Sequence, residues 1–399
     1  MKKRICILGS TGSIGKSALS LVREHAGSLQ IIALAAGKNT NLLCEQIQEF
    51  HPEFVSVADE EARSFLLKNL IEMGVPREKW PREISYGTKA MSAMASLDEV
   101  DFVLSAVVGG AALLPTLAAI QAGKTVGLAN KECLVMAGEL LIEEAKKSKA
   151  ILIPVDSEHS AIFQALSGGF NDRLFLKSIV LTASGGPFWK SSFNELKTIT
   201  VDQALCHPTW KMGPKITIDS ATMANKALEV IEACRLFSLS PDQVKVVVHP
   251  QSVVHSLVEF TDGAMLAHLG KTDMKGPIAF SLFYPKRCDQ VLESLDLTSS
   301  GTLEFSPPDF DRFPCLRIGF EAARSGGFFP SVFNAVNEVA VGAFLKHELS
   351  FNGIAQLIEK VIERSVDIPD KSPGSIEAVL EMDQWARQSA RDLLKNLSH

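Results

Sequence analysis

Short apolar runs separated by helix-length spacers, recurring over the first 155 residues, constrain the fold more than any other feature. The runs are Arg4 to Leu8, Leu29 to Ala35, Phe54 to Val57, Phe102 to Ala106, Thr125 to Leu128 and Ile151 to Val155. Such runs are typical of buried strands, and spacers long enough for a crossover helix join strands that run parallel. The pattern therefore predicts an α/β fold with a parallel sheet in an N-terminal domain, residues 1–150.

A glycine-rich motif, G-S-T-G-S-I-G at 9–15, directly follows the first run. Glycines at such a strand-to-helix turn let the backbone approach a pyrophosphate, whose charge then lies at the positive end of the helix. The spacing is G-x-x-G-x-x-G, so a simple tight turn is the alternative. The flanking strand and helix favour dinucleotide binding and a Rossmann-like domain.

The end of the second predicted strand indicates which dinucleotide is bound. NAD-specific domains place an acid there for the ribose hydroxyl. Here the segment is Ala35-Ala36-Gly37-Lys38-Asn39, without a carboxylate. Lys38 would attract a 2′-phosphate, which favours NADP, although it could equally be a solvated loop residue.

Two further domains are expected after the first. Residues 151–290 combine strand-like runs, including a period-2 segment at Val253 to Phe260, with a helical pattern from Ser220 to Phe237, which predicts a central α+β domain. Residues 291–314 are rich in Ser, Pro and Asp and are interpreted as a linker. Residues 315–399 are expected to form a C-terminal helical domain.

Composition narrows the function classes. A formal net charge of −6 argues against a nucleic-acid binder held by bulk charge. The seven scattered cysteines contain no C-x-x-C pair, which favours a reducing, cytoplasmic location. The uncharged stretch from Phe102 to Gly123 contains Gly109-Gly110 and Pro115 and is rich in Ala, so a strand, a turn and a helix are preferred over a membrane span.

Three acids form a candidate metal site. Asp156 and Glu158 lie two residues apart, and on an extended chain they would point to one face. Glu229 lies on a predicted helix face with Asn225 and Lys226. If these acids meet, each close pair repels by about 4 kcal/mol at an effective dielectric near 20, so the cluster needs Mg²⁺, Mn²⁺ or a proton. A solvated strand end and an amphipathic helix are the alternatives.

Two loops could complete a site. Ser184-Gly185-Gly186-Pro187 offers a hydroxyl and backbone N–H groups, and together with Ser220, Asn225 and Lys226 it could hold a phosphate. The segment 206–214 places His207 and Trp210 between prolines and glycine, which suggests an active-site lid or, equally, a buried anchor.

Together these motifs resemble the 1-deoxy-D-xylulose 5-phosphate reductoisomerase family. The resemblance rests on 9–15, A-G-K-N at 36–39, L-A-N-K-E at 128–132, P-V-D-S-E-H at 154–159, S-G-G-P at 184–187, H-P-x-W-x-M-G at 207–213, D-S-A-T-M-x-N-K-x-L-E at 219–229 and H-P-Q-S-V-V-H-S at 249–256. It implies a homodimeric, NADPH- and divalent-metal-dependent enzyme of the non-mevalonate isoprenoid pathway, which forms 2-C-methyl-D-erythritol 4-phosphate.

The resemblance also implies roles for individual residues. NADPH contacts fall on Thr11, Gly12, Ser13, Ile14, Gly37, Lys38, Asn39, Asn130, Glu132, Gly213 and Met274. Metal ligands are Asp156, Glu158 and Glu229. Substrate contacts are Lys131, Ser157, Glu158, Ser184, His207, Trp210, Ser220, Asn225, Lys226 and Glu229, of which Lys131, Glu158, His207 and Lys226 are candidate catalytic groups. Trp210 and Met212 belong to the lid.

Two other functions are compatible with parts of the pattern. An NADP-dependent semialdehyde dehydrogenase would use Cys133 as its nucleophile. A non-catalytic NADP-sensing protein would keep the dinucleotide site and lack turnover.

Overall fold

The computed structural model describes residues 2–167, 172–210, 212–366, 368 and 373–397. The strands are β1 (Lys3–Leu8), β2 (Leu29–Ala35), β3 (Phe54–Val57), β4 (Glu83–Tyr86), β5 (Phe102–Ser105), β6 (Thr125–Leu128), β7 (Ile151–Pro154), β8 (Leu176–Ala183), β9 (Val244–Val248), β10 (Val254–Phe260) and β11 (Met265–Leu269). All six predicted N-terminal runs form strands.

Helices fill most of the remaining chain. They are α1 (Ser13–Glu24), α2 (Thr40–Phe50), α3 (Glu60–Glu72), α4 (Gly87–Ala95), α5 (Leu113–Gln121), α6 (Glu132–Ser148), α7 (Ser157–Ala165), α8 (Phe193–Leu196), α9 (Val201–Ala204), α10 (Pro214–Ala221), α11 (Ala224–Phe237), α12 (Lys275–Phe283), α13 (Pro314–Ser325), α14 (Phe329–Leu345), α15 (Phe351–Ser365) and α16 (Ile376–Leu397). Short 3-10 turns cover Arg77–Lys79, Gly110–Ala112, Asp172–Phe175 and Pro241–Gln243.

Two sheets organise the described part of the chain. The larger has the strand order β4-β3-β2-β1-β5-β6-β7, and every neighbouring pair in it is parallel. The smaller has the order β11-β10-β8-β9, in which β8 and β9 are parallel and the other pairs are antiparallel. The predicted parallel α/β region, the α+β region and the helical C-terminal region are confirmed.

The chain divides into two compact units of contacting residues. Unit 1 contains Met1–Cys133, Leu141–Ser160 and Asp273–Leu292, and unit 2 contains Leu134–Leu140, Ala161–Thr272 and Glu293–His399. Unit 1 holds the parallel sheet and unit 2 holds the mixed sheet. The domain boundaries at 150, 290 and 314, with a lid near 206–214, stay a prediction.

The core of unit 1 includes a segment that is distant in sequence. Ile278, Ala279 and Leu282 of α12 are buried in the same apolar cluster as β1 and α1. Burying a leucine such as Leu282 contributes about 1.5–3 kcal/mol. The Lys3 ammonium also donates to the Leu282 carbonyl at 2.6 Å. Residues 273–292 are therefore an integral part of this unit.

The core of unit 2 lies between the mixed sheet and the helices α11 and α13 to α16. The helices α11 and α13 pack so closely that a Cβ added at Gly319 would lie 2.4 Å from the Ala227 Cβ. This helical layer supports α11, which carries several candidate site residues.

The single helix predicted from Ser220 to Phe237 is wrong, because the chain breaks between α10 and α11. Met223 has a φ of 61°, which no helix accommodates. The Thr222 hydroxyl donates to the Ile218 carbonyl at 3.0 Å and accepts from the Ala224 N–H at 3.4 Å. This local side-chain bonding ends α10 and begins α11.

Among the described residues, no helix combines the length and the apolarity needed to cross a membrane.

Candidate active site

At the glycine turn of unit 1, backbone segments pack so closely that side chains larger than glycine would not fit. A Cβ at Gly9, whose φ is 93°, would lie 2.4 Å from the Ala106 carbonyl oxygen, and one at Gly15 would lie 2.3 Å from the Gly9 carbonyl oxygen. Gly12 is the N-cap residue of α1 and offers no side-chain cap. The first N–H groups of α1 therefore receive no bond from an N-cap side chain, and their use by an anionic group stays a prediction.

Lys38 has an acidic neighbour that the local sequence does not reveal. Its ammonium lies 3.4 Å from a carboxylate oxygen of Asp59, and both side chains are substantially exposed. Asp59 also caps α3, accepting from the Ala62 N–H at 2.8 Å, and this bond, followed by Lys38, lowers the pKa of its carboxyl. Asn39 caps α2 in the same way. Lys38 is therefore accessible to a phosphate but already paired.

Asn130 holds the loop that follows β5. Its side-chain amide donates to the carbonyls of Val107 and Gly109 at 2.7 and 3.0 Å, while its oxygen accepts from the Cys133 N–H at 2.9 Å. This buried network fixes the start of α6, where Lys131 and Glu132 are also buried. Two further cofactor candidates of this unit, Ile14 and Met274, pack against its apolar core.

The expectation that Asp156 and Glu158 share one face of an extended chain is wrong. The strand β7 ends at Pro154 and α7 begins at Ser157, so Glu158 lies in the first helical turn. The Asp156 carbonyl accepts from the Ser160 N–H at 2.8 Å, which places Asp156 at the N-cap. Carboxylate oxygens of Asp156 and Glu158 nevertheless lie within 4.8 Å of each other.

Lys131 forms an ion pair with Asp156, and its side chain is only 7% exposed. The Ser157 hydroxyl donates to Glu158 at 2.5 Å. Unit 1 therefore brings four of the predicted site residues together at the carboxyl end of β7, which is where parallel sheets bind ligands.

In unit 2, α11 presents Asn225, Lys226 and Glu229 on one face, as predicted. The Asn225 amide donates to one Glu229 oxygen at 2.5 Å, and the Lys226 ammonium pairs with the other. Glu229 is fully buried and Lys226 nearly so.

A lysine therefore neutralises an acid in each unit: Lys131 pairs with Asp156 and Lys226 with Glu229. The sequence predicts that a cation or a proton offsets the repulsion between the acids. In the structure, two of the acids pair with lysines. A divalent cation that binds Asp156 or Glu229 would free the ammonium group that is now paired with it.

His207 links two serines of the predicted phosphate site. Its Nε2 lies 3.1 Å from the Ser184 hydroxyl and 3.1 Å from the Ser220 hydroxyl. Its Nδ1 accepts from the N–H groups of Thr209 and Trp210 at 3.1 and 2.9 Å. A nitrogen that accepts carries no proton, so the imidazole is neutral with its hydrogen on Nε2. Burial lowers the pKa of His207, which favours the same neutral form.

The turn at Gly185 and Gly186 adopts left-handed backbone angles, with φ of 83° and 68°. A Cβ at Gly186 would lie 2.7 Å from the Ser220 carbonyl oxygen. The Gly186 N–H bonds the Ser184 hydroxyl at 3.3 Å. The turn thus packs directly against the end of α10, next to Ser220.

The predicted lid lacks regular structure, as expected. Trp210 and Met212 are half-buried, and Gly213 is the exposed N-cap of α10. Lys211 lies outside the described residues. Gly213 belongs to unit 2, whereas the other cofactor candidates belong to unit 1.

Sequence reasoning missed two polar residues beside this site. Asp219 is 1% exposed and is bonded at 2.8 Å by Lys215 and by the amide of Asn337. Asp219 lies inside a quoted motif, but Asn337 is distant in sequence and gave no local signal.

Cys133, the nucleophile of the alternative dehydrogenase, is fully buried at the start of α6. Its sulfur lies 3.7 Å from the Thr116 hydroxyl. A thiol in this position cannot reach a substrate without local unfolding.

Three family models match the chain. One described as 1-deoxy-D-xylulose 5-phosphate reductoisomerase matches residues 5–138. One described as the 1-deoxy-D-xylulose 5-phosphate reductoisomerase C-terminal domain matches residues 152–237, and one described as the DXP reductoisomerase C-terminal domain matches residues 269–389.

Similar proteins carry the same description over the full length. The 1-deoxy-D-xylulose 5-phosphate reductoisomerase of Chlorobium chlorochromatii is 48% identical over 98% of this chain and 100% of its own. That of Thermodesulfovibrio yellowstonii is 46% identical over 98% of each chain.

Solved structures with the same description are also similar to this chain. A crystal structure of DOX-P reductoisomerase in complex with NADPH, fosmidomycin and magnesium has a TM-score of 0.92 at 41% identity, covering 99% of both chains. The Zymomonas mobilis enzyme in complex with NADPH has a TM-score of 0.88 at 40% identity, also covering 99% of both chains.

Proposed function

This chain belongs to the 1-deoxy-D-xylulose 5-phosphate reductoisomerase family, and from that premise we propose how its own residues carry out the reaction. The enzyme isomerises and reduces 1-deoxy-D-xylulose 5-phosphate to 2-C-methyl-D-erythritol 4-phosphate in the non-mevalonate isoprenoid pathway. It uses NADPH and a divalent cation, Mg²⁺ or Mn²⁺.

The residues of unit 1 fit a dinucleotide. The uncapped start of α1 behind Gly12 and the tight packing at Gly9 and Gly15 suit a pyrophosphate. Thr11, Ser13 and Ile14 flank that turn, and Gly37, Lys38 and Asn39 are exposed and would lie beside the ribose. Asn130 orders the loop that follows β5, and Glu132, Met274 and Gly213 would add further contacts to NADPH. NADPH supplies the hydride when bound.

Asp156, Glu158 and Glu229 would hold the divalent cation. Carboxylate oxygens are the ligands that Mg²⁺ and Mn²⁺ prefer, and the chain supplies three of them on ordered segments. A cation bound there polarises the substrate carbonyl as a Lewis acid.

The lysines then take on a second role. Lys131 and Lys226 are ion-paired with two of the proposed ligands. With a cation bound to those acids, both ammonium groups would be available to donate to substrate oxygens. Lys226 and Glu158 would move protons, and Ser157 would orient Glu158 through its hydrogen bond.

The phosphate would bind at the cluster around His207. Ser184, Ser220, Asn225 and Lys226 provide hydroxyl, amide and ammonium donors on adjoining segments of unit 2. The neutral His207 has one hydrogen on Nε2 and shares it between the two serines, so it orients their hydroxyl groups toward an anion. Trp210, which bonds back to His207, would cover the bound substrate and exclude water.

We also propose that the enzyme is a cytoplasmic homodimer. The edge strand β11 exposes Met265, Leu266 and Leu269 at 49%, 50% and 37%, an apolar strip that a second copy could cover. All seven cysteines are free thiols, which suits a reducing compartment. Light scattering at micromolar concentration tests the dimer, because a monomer mass would exclude it.

The main observation that supports the proposed mechanism is the pairing of Lys131 with Asp156 and of Lys226 with Glu229. The experiment follows NADPH absorbance with 1-deoxy-D-xylulose 5-phosphate after chelation, and then after Mg²⁺ or Mn²⁺ is added back. We expect no turnover without the cation and recovery with it. Near-normal rates in chelated protein would contradict the proposed metal site.

A further inference from the structure

The buried carboxylate of Asp219 lies one residue before Ser220 and is held from two sides. Lys215, one turn earlier on α10, pairs with one oxygen at 2.8 Å, and the Asn337 amide of α14 donates to the other at 2.8 Å. The exposure of Asp219 and Asn337 is 1% and 0%. All three residues belong to unit 2.

A buried ion pair of this kind contributes little net stability, because desolvation offsets the attraction. Its better-attested use is to fix the register of the element that carries it. Rotating or sliding α10 would separate the Asp219 carboxylate from Asn337 and leave a buried charge without its amide partner, which is strongly unfavourable. The contact therefore fixes α10 in one orientation.

That orientation determines where Ser220 points. Ser220 follows Asp219 directly, and its hydroxyl meets the His207 Nε2 at 3.1 Å. The same helix end continues through Thr222 and Met223 into α11, where the Met223 carbonyl accepts from the Ala227 N–H at 3.1 Å. The orientation of α10 thus also sets the start of the helix that carries Asn225 and Lys226.

The amide of Asn337 has one orientation that fits. A carboxylate only accepts, so Asn337 must turn its NH₂ group toward Asp219. Its oxygen then faces away and is without a hydrogen-bond partner among the described residues.

We propose that Asp219 and Asn337 are positioning residues for the substrate phosphate: they aim Ser220 and the start of α11 from the C-terminal helical layer. The proposal rests on the proposed function, in which Ser220 binds that phosphate. Neither residue need touch substrate or cofactor.

The test compares Asn337→Ala, Ser220→Ala and the double variant in the full-length enzyme. Asn334→Ala is the matched control, since Asn334 is also fully buried on α14 but bonds Glu338 at 3.2 Å instead of α10. We expect Asn337→Ala to raise KM for 1-deoxy-D-xylulose 5-phosphate about tenfold, with a smaller change in kcat and no change in the Kd for NADPH, the pattern of lost ground-state binding. Asn334→Ala should lower the melting temperature and leave this KM unchanged.

The double variant separates positioning from stability. If Asn337 acts through Ser220, the KM of the double variant should match that of Ser220→Ala within about twofold, because coupled residues are not additive. Fully additive effects, or an unchanged KM in Asn337→Ala, would overturn the inference. An unchanged KM in Ser220→Ala would instead overturn the proposed phosphate site.

A second variant covers the case in which Asn337→Ala does not fold. Lys215 is partly exposed, with 21% of its side chain accessible, so Lys215→Met opens no cavity in the core, and the Asn337 amide still binds Asp219. This substitution removes the other partner of Asp219, and we expect the same rise in substrate KM. A KM equal to that of the wild type would count against positioning through Asp219.

Discussion

Lys226 and Glu229 form an ion pair across one turn of α11, and their side chains are only 4% and 1% exposed. Removing one partner of a buried pair leaves an uncompensated charge, which is strongly destabilising. A polar residue without charge at either position would therefore leave the remaining partner without its buried counter-charge.

Glu229→Gln should weaken the activation of the enzyme by Mg²⁺ or Mn²⁺ by about 10- to 100-fold, as expected for a lost metal-site interaction. The Kd for NADPH, measured by fluorescence, should stay within about twofold, since Glu229 lies outside the proposed dinucleotide contacts. Glu363→Gln, at an exposed position of α15, is the control. An unchanged cation dependence in Glu229→Gln would remove Glu229 from the metal site.

Gly15→Ala should damage the glycine turn. The new Cβ would lie 2.3 Å from the Gly9 carbonyl oxygen, and overpacking of this kind costs about 1–3 kcal/mol. We expect a lower melting temperature and at least tenfold weaker NADPH binding. Gly27→Ala is the matched control, because its Cβ would meet nothing within 4 Å. NADPH binding of normal strength in Gly15→Ala would contradict the proposed pyrophosphate position.

Lys38→Asp should shift the coenzyme preference from NADPH toward NADH. The new carboxylate would repel a 2′-phosphate, and Asp59, now 3.4 Å from Lys38, would lose its cation and add to the repulsion. The ratio of kcat/KM for the two coenzymes reports the shift, with Lys89→Asp as the exposed control. An unchanged ratio would mean that other residues recognise the phosphate.

Glu259 should make the stability of the mixed sheet depend on pH in the acid range. Hydrogen bonds from Lys177, then from Lys245 and Ser178, lower its pKa from 4.5 to about 2. A lowered folded-state pKa stabilises the fold above the unfolded value, and the contribution is lost as pH falls toward about 2. The stability difference between wild type and Glu259→Gln should therefore be constant above pH 5 and shrink between pH 4.5 and 2. Urea unfolding across that range measures it, and a constant difference would contradict it.

Much of the parallel sheet could be predicted because its strands are apolar runs bounded by turns. The strand β4 escaped because it is a short edge strand, E-I-S-Y, with little buried surface. The packing of α12 with unit 1 was not predicted for another reason. It depends on contacts with β1 and α1, which no local sequence pattern encodes.

At the candidate site, spacing suggested residues but did not predict their conformations. Asp156 and Glu158 were placed on an extended chain because β7 precedes them, whereas the N-cap geometry of Asp156 starts a helix there. The helix break at Met223 also gave no signal, since no glycine or proline marks it. The pairing of Lys131 with Asp156 could be recognised only once distant segments were brought together. Lys226 lies three residues before Glu229 on one helix, so its spacing already allowed the pairing that the structure shows.

The parallel pairing of β8 with β9 has a consequence for how this enzyme can change. Two neighbouring parallel strands cannot be joined by a tight hairpin. After β8 the chain must therefore return along the length of that strand before β9 begins. That return path contains the glycine turn, the lid, α10 and α11. The backbone hydrogen bonds between β8 and β9 hold both ends of this return path. Insertions or grafts within the path can therefore change substrate recognition while the pairing of the two strands is conserved.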